Sequence, residues 1–195
     1  MMQTGYQTAI DLAKTILQML SIDDVCANKG AKWSGGAYSV PWFGEYRAVD
    51  SGSPIEQVLW LHYLIAEFGR IPTGKLIAYR DIRGAAFYES KFIARAVRPI
   101  VKCFGANPQA LRDIGTLLGG HAANAGDTAV TISPLPNLPI TYILWTGDDE
   151  FPPEGNILFD ETAPSWLDAE DLVVLASLGA YRLVSEFKKR ADQTK

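Results

Sequence analysis

Ala129-Val130-Thr131-Ile132-Ser133, Ile140-Thr141-Tyr142-Ile143-Leu144-Trp145 and Asn156-Ile157-Leu158-Phe159 follow one another along the chain. Each run is short, apolar and rich in β-branched or aromatic residues, the composition of a buried strand. Pro134, Pro136 and Pro139 fill the first gap, and a Gly, Asp and Pro cluster fills the second. Neither gap suits a helix. Strands that follow one another without a helical crossover pair antiparallel.

Working outward, helical segments flank these strands without the regular alternation of a parallel sheet. Ser53-Pro54-Ile55-Glu56 combines a capping serine, a proline at the first helical position and a glutamate that reaches back to the cap, and predicts a helix to Phe68 before Gly69. A helix from Thr4 to about Ser21 buries Ile10, Ala13, Leu17 and Leu20. Residues 32–50 alternate short aromatic runs with Gly35-Gly36 and Pro41-Trp42-Phe43-Gly44, the pattern of a two- or three-stranded meander. A strand is expected at Leu76–Tyr79. Helices are expected at Ser90–Phe104, kinked by Pro99, from Asn107-Pro108 to Gly119, and from Asp168 to Arg190. The fold class is therefore α+β, with an antiparallel sheet of about five or six strands and about five helices. It is read as a single domain over 1–195, with 1–30 an N-terminal helix and connection and 31–195 the main body.

With 18 Lys and Arg against 22 Asp and Glu the net charge is -4, the wrong sign for a protein that holds nucleic acid through its phosphates. No apolar run approaches a membrane span and no leader pattern opens the chain, so a cytoplasmic location is expected. Cys26 and Cys103 stand too far apart in sequence for a metal or redox motif and are read as reduced thiols. No phosphate-binding glycine loop, nucleophile elbow or zinc-protease motif is present, so no nucleotide cofactor is expected.

Three features offer chemistry. Asp148, Asp149, Glu150, Glu154, Asp160 and Glu161 crowd into one short stretch without a Lys or Arg among them. Such oxygens suit a hard cation, or a general acid and base pair; a solvated loop is the plainer reading. His62 lies on a mostly apolar helix, where a neutral imidazole serves as ligand, proton carrier or hydrogen-bonded core residue. Lys91, Arg95, Arg98 and Lys102 recur at helical spacing and form one basic face for an acidic partner or for solvent.

Trp60-Leu61-His62-Tyr63-Leu64, Pro72-Thr73-Gly74, Leu144-Trp145-Thr146-Gly147-Asp148-Asp149-Glu150-Phe151-Pro152 and Ile157-Leu158-Phe159-Asp160 together resemble the bacterial and archaeal family catalogued as domain of unknown function 3786. The resemblance implies an accessory role in the redox or one-carbon metabolism of anaerobes. Some similar members carry an added cysteine-rich iron-sulphur segment; two cysteines cannot supply such a cluster, so no self-contained one is expected. The matching positions His62, Tyr63, Trp145, Asp148, Glu150 and Asp160 become ligand-binding candidates.

The first expectation is a non-catalytic protein that binds a small molecule or a protein partner at the end of the sheet, with Trp145, Asp148 and Glu150 at its mouth and His62 and Tyr63 near. One alternative is a metal-dependent hydrolase or lyase on Asp148, Glu150 and Asp160, with His62 as a further candidate ligand. The other is an interaction scaffold on Lys91, Arg95, Arg98 and Lys102.

Overall fold

Ser53 and Glu56 form the capping box read from the sequence: Glu56 Oε2 accepts from the Ser53 N–H at 2.9 Å and from Ser53 Oγ at 2.6 Å. The helix they open, Pro54–Ile65, is one element of an α+β architecture seen in a computed structural model that describes residues 2–67 and 69–193. Phe68, the expected end of this helix, lies outside the described residues. Lys29 Nζ donates to Ala66 O at 2.5 Å, satisfying a carbonyl at the helix C-terminus.

In chain order the elements begin with α1 (Met2–Leu17) and α2 (Ile22–Lys29). The second helix is an addition to the expected set. Its signals were local: Ser21 Oγ accepts the Asp24 N–H at 3.3 Å, and Gly30, at φ +63°, adopts the left-handed conformation that stops it. The meander follows as β1 (Lys32–Ser34), β2 (Ala37–Trp42) and β3 (Glu45–Ala48), an antiparallel sheet of its own rather than part of the main one. After it come α3 (Pro54–Ile65) and β4 (Leu76–Ala78). Then α4 (Glu89–Phe92) passes through a π-helical turn, Ile93–Val97, into α5 (Arg98–Phe104). Pro99 explains that turn. Its ring has no N–H for the Arg95 carbonyl and clashes with it, and the wider π ladder just before it relieves both problems.

The chain continues with α6 (Pro108–Leu117), β5 (His121–Ala122), β6 (Thr128–Ile132), β7 (Ile140–Trp145), β8 (Glu154–Asp160) and α7 (Ala169–Gln193). The main sheet has the order β4-β8-β7-β6-β5, antiparallel throughout. Helix α7 packs closely on it: Tyr142 Oη donates to Ala176 O at 2.9 Å, and a Cβ at Gly179 would overlap that phenol oxygen. A glycine is therefore required for the helix to lie this near the strand. Asp168 Oδ1 accepts the Asp171 N–H at 2.9 Å and opens α7 as the acidic first turn predicts.

β7 and β8 run from one end of this sheet to the other, and that direction separates the candidate residues. Trp145 pairs with Glu154 at one end, and Ile140 pairs with Phe159, next to Asp160, at the other.

Candidate binding groove

Strand β4 covers only part of β8. It pairs Leu76, Ile77 and Ala78 with Asp160, Phe159 and Leu158, and then Tyr79–Asp81 turns away as a 3-10 helix. The turn is fixed locally, since the Asp81 carboxylate takes the Ala78 N–H at 3.2 Å. The segment from Glu154 to Ile157 therefore has β7 on one side and, among the described residues, no strand on the other.

Which main-chain groups face that open edge follows from the alternation of an antiparallel ladder. Leu144 O accepts from Asp127 N at 3.0 Å, so the Leu144 main chain is turned toward β6, and its partner Gly155 is turned outward. Ile157 is outward by the same alternation, and its N–H goes to Asn156 Oδ1 at 2.8 Å.

A groove of about 570 Å³ lies along this edge, within the range of ligand sites. Tyr79, Phe92 and Val97 supply its apolar wall, with Tyr79 and Phe92 stacked at 4.3 Å between ring centroids. Arg80, Glu89, Arg98 and Glu154 line it and are exposed. Among the described residues none of these four forms an ion pair. The π turn carries Ile93 and Val97 along the groove's helical wall, and Arg98 follows directly after it.

The expected site residues divide between the two ends of the sheet. Trp145, 41% exposed, stands beside Glu154 at the groove end. Asp148 holds its own turn, accepting the Phe151 N–H at 2.7 Å and the Glu150 N–H at 2.8 Å, and those bonds keep its carboxyl below the usual range. Glu150 is exposed beside it.

Asp160 is about 20 Å away at roughly 3.3 Å per strand residue. It is 1% exposed and accepts four hydrogen bonds, from Thr73 N, Gly74 N, Thr162 N and Thr162 Oγ1 at 2.7–3.2 Å. Burial alone would raise its pKa, but these donors hold it below the ordinary range. Asp160 thus pins the Pro72-Thr73-Gly74 loop. The metal reading needed Asp148, Glu150 and Asp160 to converge, and the strand between them prevents it. Among the described residues no group of three or more His, Cys, Asp or Glu side chains is placed to hold a metal ion.

Tyr63 and His62 also lie away from Trp145. Tyr63 is fully buried, stacked on Trp166 at 5.2 Å, and its Oη donates to Lys29 O at 3.0 Å and to Pro136 O at 3.3 Å, in the connection at the Ile140 end. Burial pushes its phenol pKa up. His62 Nδ1 meets Asp171 Oδ2 at 2.7 Å, and this bond raises the imidazole pKa. Neither His62 nor Asp171 lines the groove. The site expected from Trp145, Asp148, Glu150, His62 and Tyr63 together is therefore not assembled.

The expected basic face is also redrawn. Lys91, Arg95, Arg98 and Lys102 are all exposed, but the π turn lies inside their span, so α-helical spacing does not carry across it. Lys91 Nζ sits over the Tyr88 ring at 5.2 Å, while Arg98 lines the groove. Arg80 and Glu89 had no motif to mark them. Their place depends on where β4 leaves β8, a tertiary event.

A smaller apolar cleft of about 360 Å³ lies between α1 and the meander, with Leu17, Leu20, Trp33 and Tyr38 in its lining and the Lys14–Asp50 ion pair, 2.6 Å, beside them. Cys26 and Cys103 are free, and among the described residues no helix is long and apolar enough to cross a membrane.

Residues 21–182 match the family model described as Domain of unknown function (DUF3786). The groove lies wholly inside the matched residues, whereas α1 and its side of the smaller cleft lie before them. No curated protein and no solved structure matches the chain.

Proposed function

We propose that this chain, which belongs to the family of the domain of unknown function DUF3786, is a non-catalytic accessory protein that binds a charged small molecule or a charged segment of a protein partner in the groove beside β8. The observation that carries this reading is the set of four exposed side chains, Arg80, Arg98, Glu89 and Glu154, gathered from four elements around one concavity without ion-pair partners among the described residues. Charges of both signs left unpaired around one groove are free to exchange water for ligand groups. Ile93, 39% exposed, with the edge of Val97 beside it, adds apolar surface against which the ligand's stem can rest. An accessory role in anaerobic redox or one-carbon metabolism, which the sequence resemblance implies, would be served by such docking.

The test uses the arginine side-chain signals of the isotopically labelled chain in an NMR titration with a panel of amino acids, dicarboxylates and short charged peptides. The expected result is a shift at both Arg80 and Arg98 with at least one class, the Arg80 shift being lost in Arg98→Ala and the Arg98 shift in Arg80→Ala. Silence of both arginines across the whole panel overturns the reading.

A further inference from the structure

Resting on the groove reading, we infer that the occupant is an extended peptide segment of a protein partner, added as a strand to the open edge of β8 in the line that β4 vacates. The alternation of the ladder places Gly155 and Ile157 on the same outward-facing set as Phe159 and Glu161. β4 uses the last two: Ile77 pairs with Phe159, and Glu161 N donates to Lys75 O at 2.9 Å. The ladder then stops while β8 continues in extended form to Glu154, so a strand-shaped vacancy lies directly ahead of β4.

The neighbouring edge donors are occupied, whereas no side chain among the described residues takes the Gly155 N–H. Asp81 takes the Ala78 N–H and Asn156 Oδ1 takes the Ile157 N–H, both from within the chain. Side chains that cover an edge in this way prevent indiscriminate strand pairing. What remains for a partner is the Gly155 N–H and C=O, the two groups by which one outward-facing residue bonds a neighbouring strand. Peptide recognition by strand addition takes its affinity from such main-chain bonds and its specificity from pockets for alternate side chains.

The charges define the peptide. Arg80 and Arg98 call for an acidic side chain, and Glu89 and Glu154 for a basic one, so the segment carries both signs, with an apolar residue turned to Phe92 and Val97. A free amino acid would satisfy the charges but not the Gly155 main chain, and this difference separates the occupants.

The experiment pans a phage-displayed library of random decapeptides against the full chain and titrates the selected peptide, synthesised, into the isotopically labelled protein. The expected outcome is a Gly155 amide that shifts and exchanges with solvent at least tenfold more slowly. Binding should weaken at least tenfold when the peptide's pairing amide is N-methylated, and similarly in Arg98→Ala, whose exposed side chain leaves the fold intact by circular dichroism. If peptides bind without protecting Gly155, or if small charged compounds shift Arg80 and Arg98 while no peptide is selected, the strand-addition inference is overturned and the groove reading stands. If neither peptides nor small compounds disturb the groove, both fall.

Discussion

His62 Nδ1 and Asp171 Oδ2 lie 2.7 Å apart and join α3 to the first turn of α7 across 109 positions of sequence. The carboxylate is largely buried and the imidazole partly exposed, so the contact is a staple between two helices that both pack into the core. The hydrogen bond to Asp171 is the main cause of the raised His62 pKa, with burial opposing it.

The sign of the pH dependence follows. A histidine whose pKa is higher folded than unfolded contributes stability that is fully present below its unfolded value, about 6.5, and is lost as pH rises through the folded value. Urea denaturation of the wild type and His62→Gln is therefore expected to show the larger stability difference near pH 6 and a smaller one near pH 9. A difference that grows with pH contradicts the charged staple.

Asp160 is expected to be the most sensitive carboxylate in the chain. Asp160→Ala would leave the Thr73 and Gly74 amides and the Thr162 hydroxyl without their acceptor, at a cost of about 2–4 kcal/mol. Asp160→Asn keeps one acceptor oxygen and should cost less. Because its folded pKa is depressed, its contribution is present above about pH 4 and disappears as pH falls through the folded value. Chemical denaturation of both variants at pH 7 and pH 3 checks the size and the direction together.

Gly179→Ala should destabilise by roughly 1–3 kcal/mol, since the added Cβ overlaps Tyr142 Oη and forces α7 off the sheet. Tyr142→Phe alone loses the bond to Ala176 O, worth about 1 kcal/mol. Combining the two removes the clash, so the double variant should be more stable than the sum of the single losses requires. Additive losses in urea melts would contradict a direct steric contact.

Asn156→Ala should make the chain prone to self-association at high concentration. It frees the Ile157 N–H beside the Gly155 edge while removing only a half-buried amide from β8. Sedimentation velocity from micromolar to millimolar concentration reads this directly. An unchanged monomer–oligomer distribution would show that the Asn156 cap is not what protects the edge.

Most elements were legible because their causes are local. The box at Ser53 and Glu56, the strand at Ile140–Trp145 and the acidic start of α7 each depend on residues within one or two turns of one another. The short helix α2 has local signals too, Ser21 and Gly30, but its eight residues are too few to show a clear helical period. The division into two sheets was not legible, because the residue pattern of a strand does not name its neighbour.

The candidate site divided along the same line. Trp145, Asp148 and Glu150 are near in sequence and stay near in space, and Glu154 brings them to the groove end. Tyr63 and Asp160 have structural partners at the other end of the sheet, and His62 has its partner in the first turn of α7, which no spacing could foretell.

By itself the sequence determined the α+β class, the antiparallel order of the last three strands, the helix caps and the disturbance at Pro99. These follow from torsional preferences, side-chain caps and hydrophobic period, all short-range effects. Only the tertiary structure decided that β4 covers half of β8, that Arg80 joins Arg98 across the gap, and that Asp148 and Asp160 stand a strand's length apart. Those facts depend on which distant surfaces bury one another, and burial is a property of the whole chain rather than of any stretch within it.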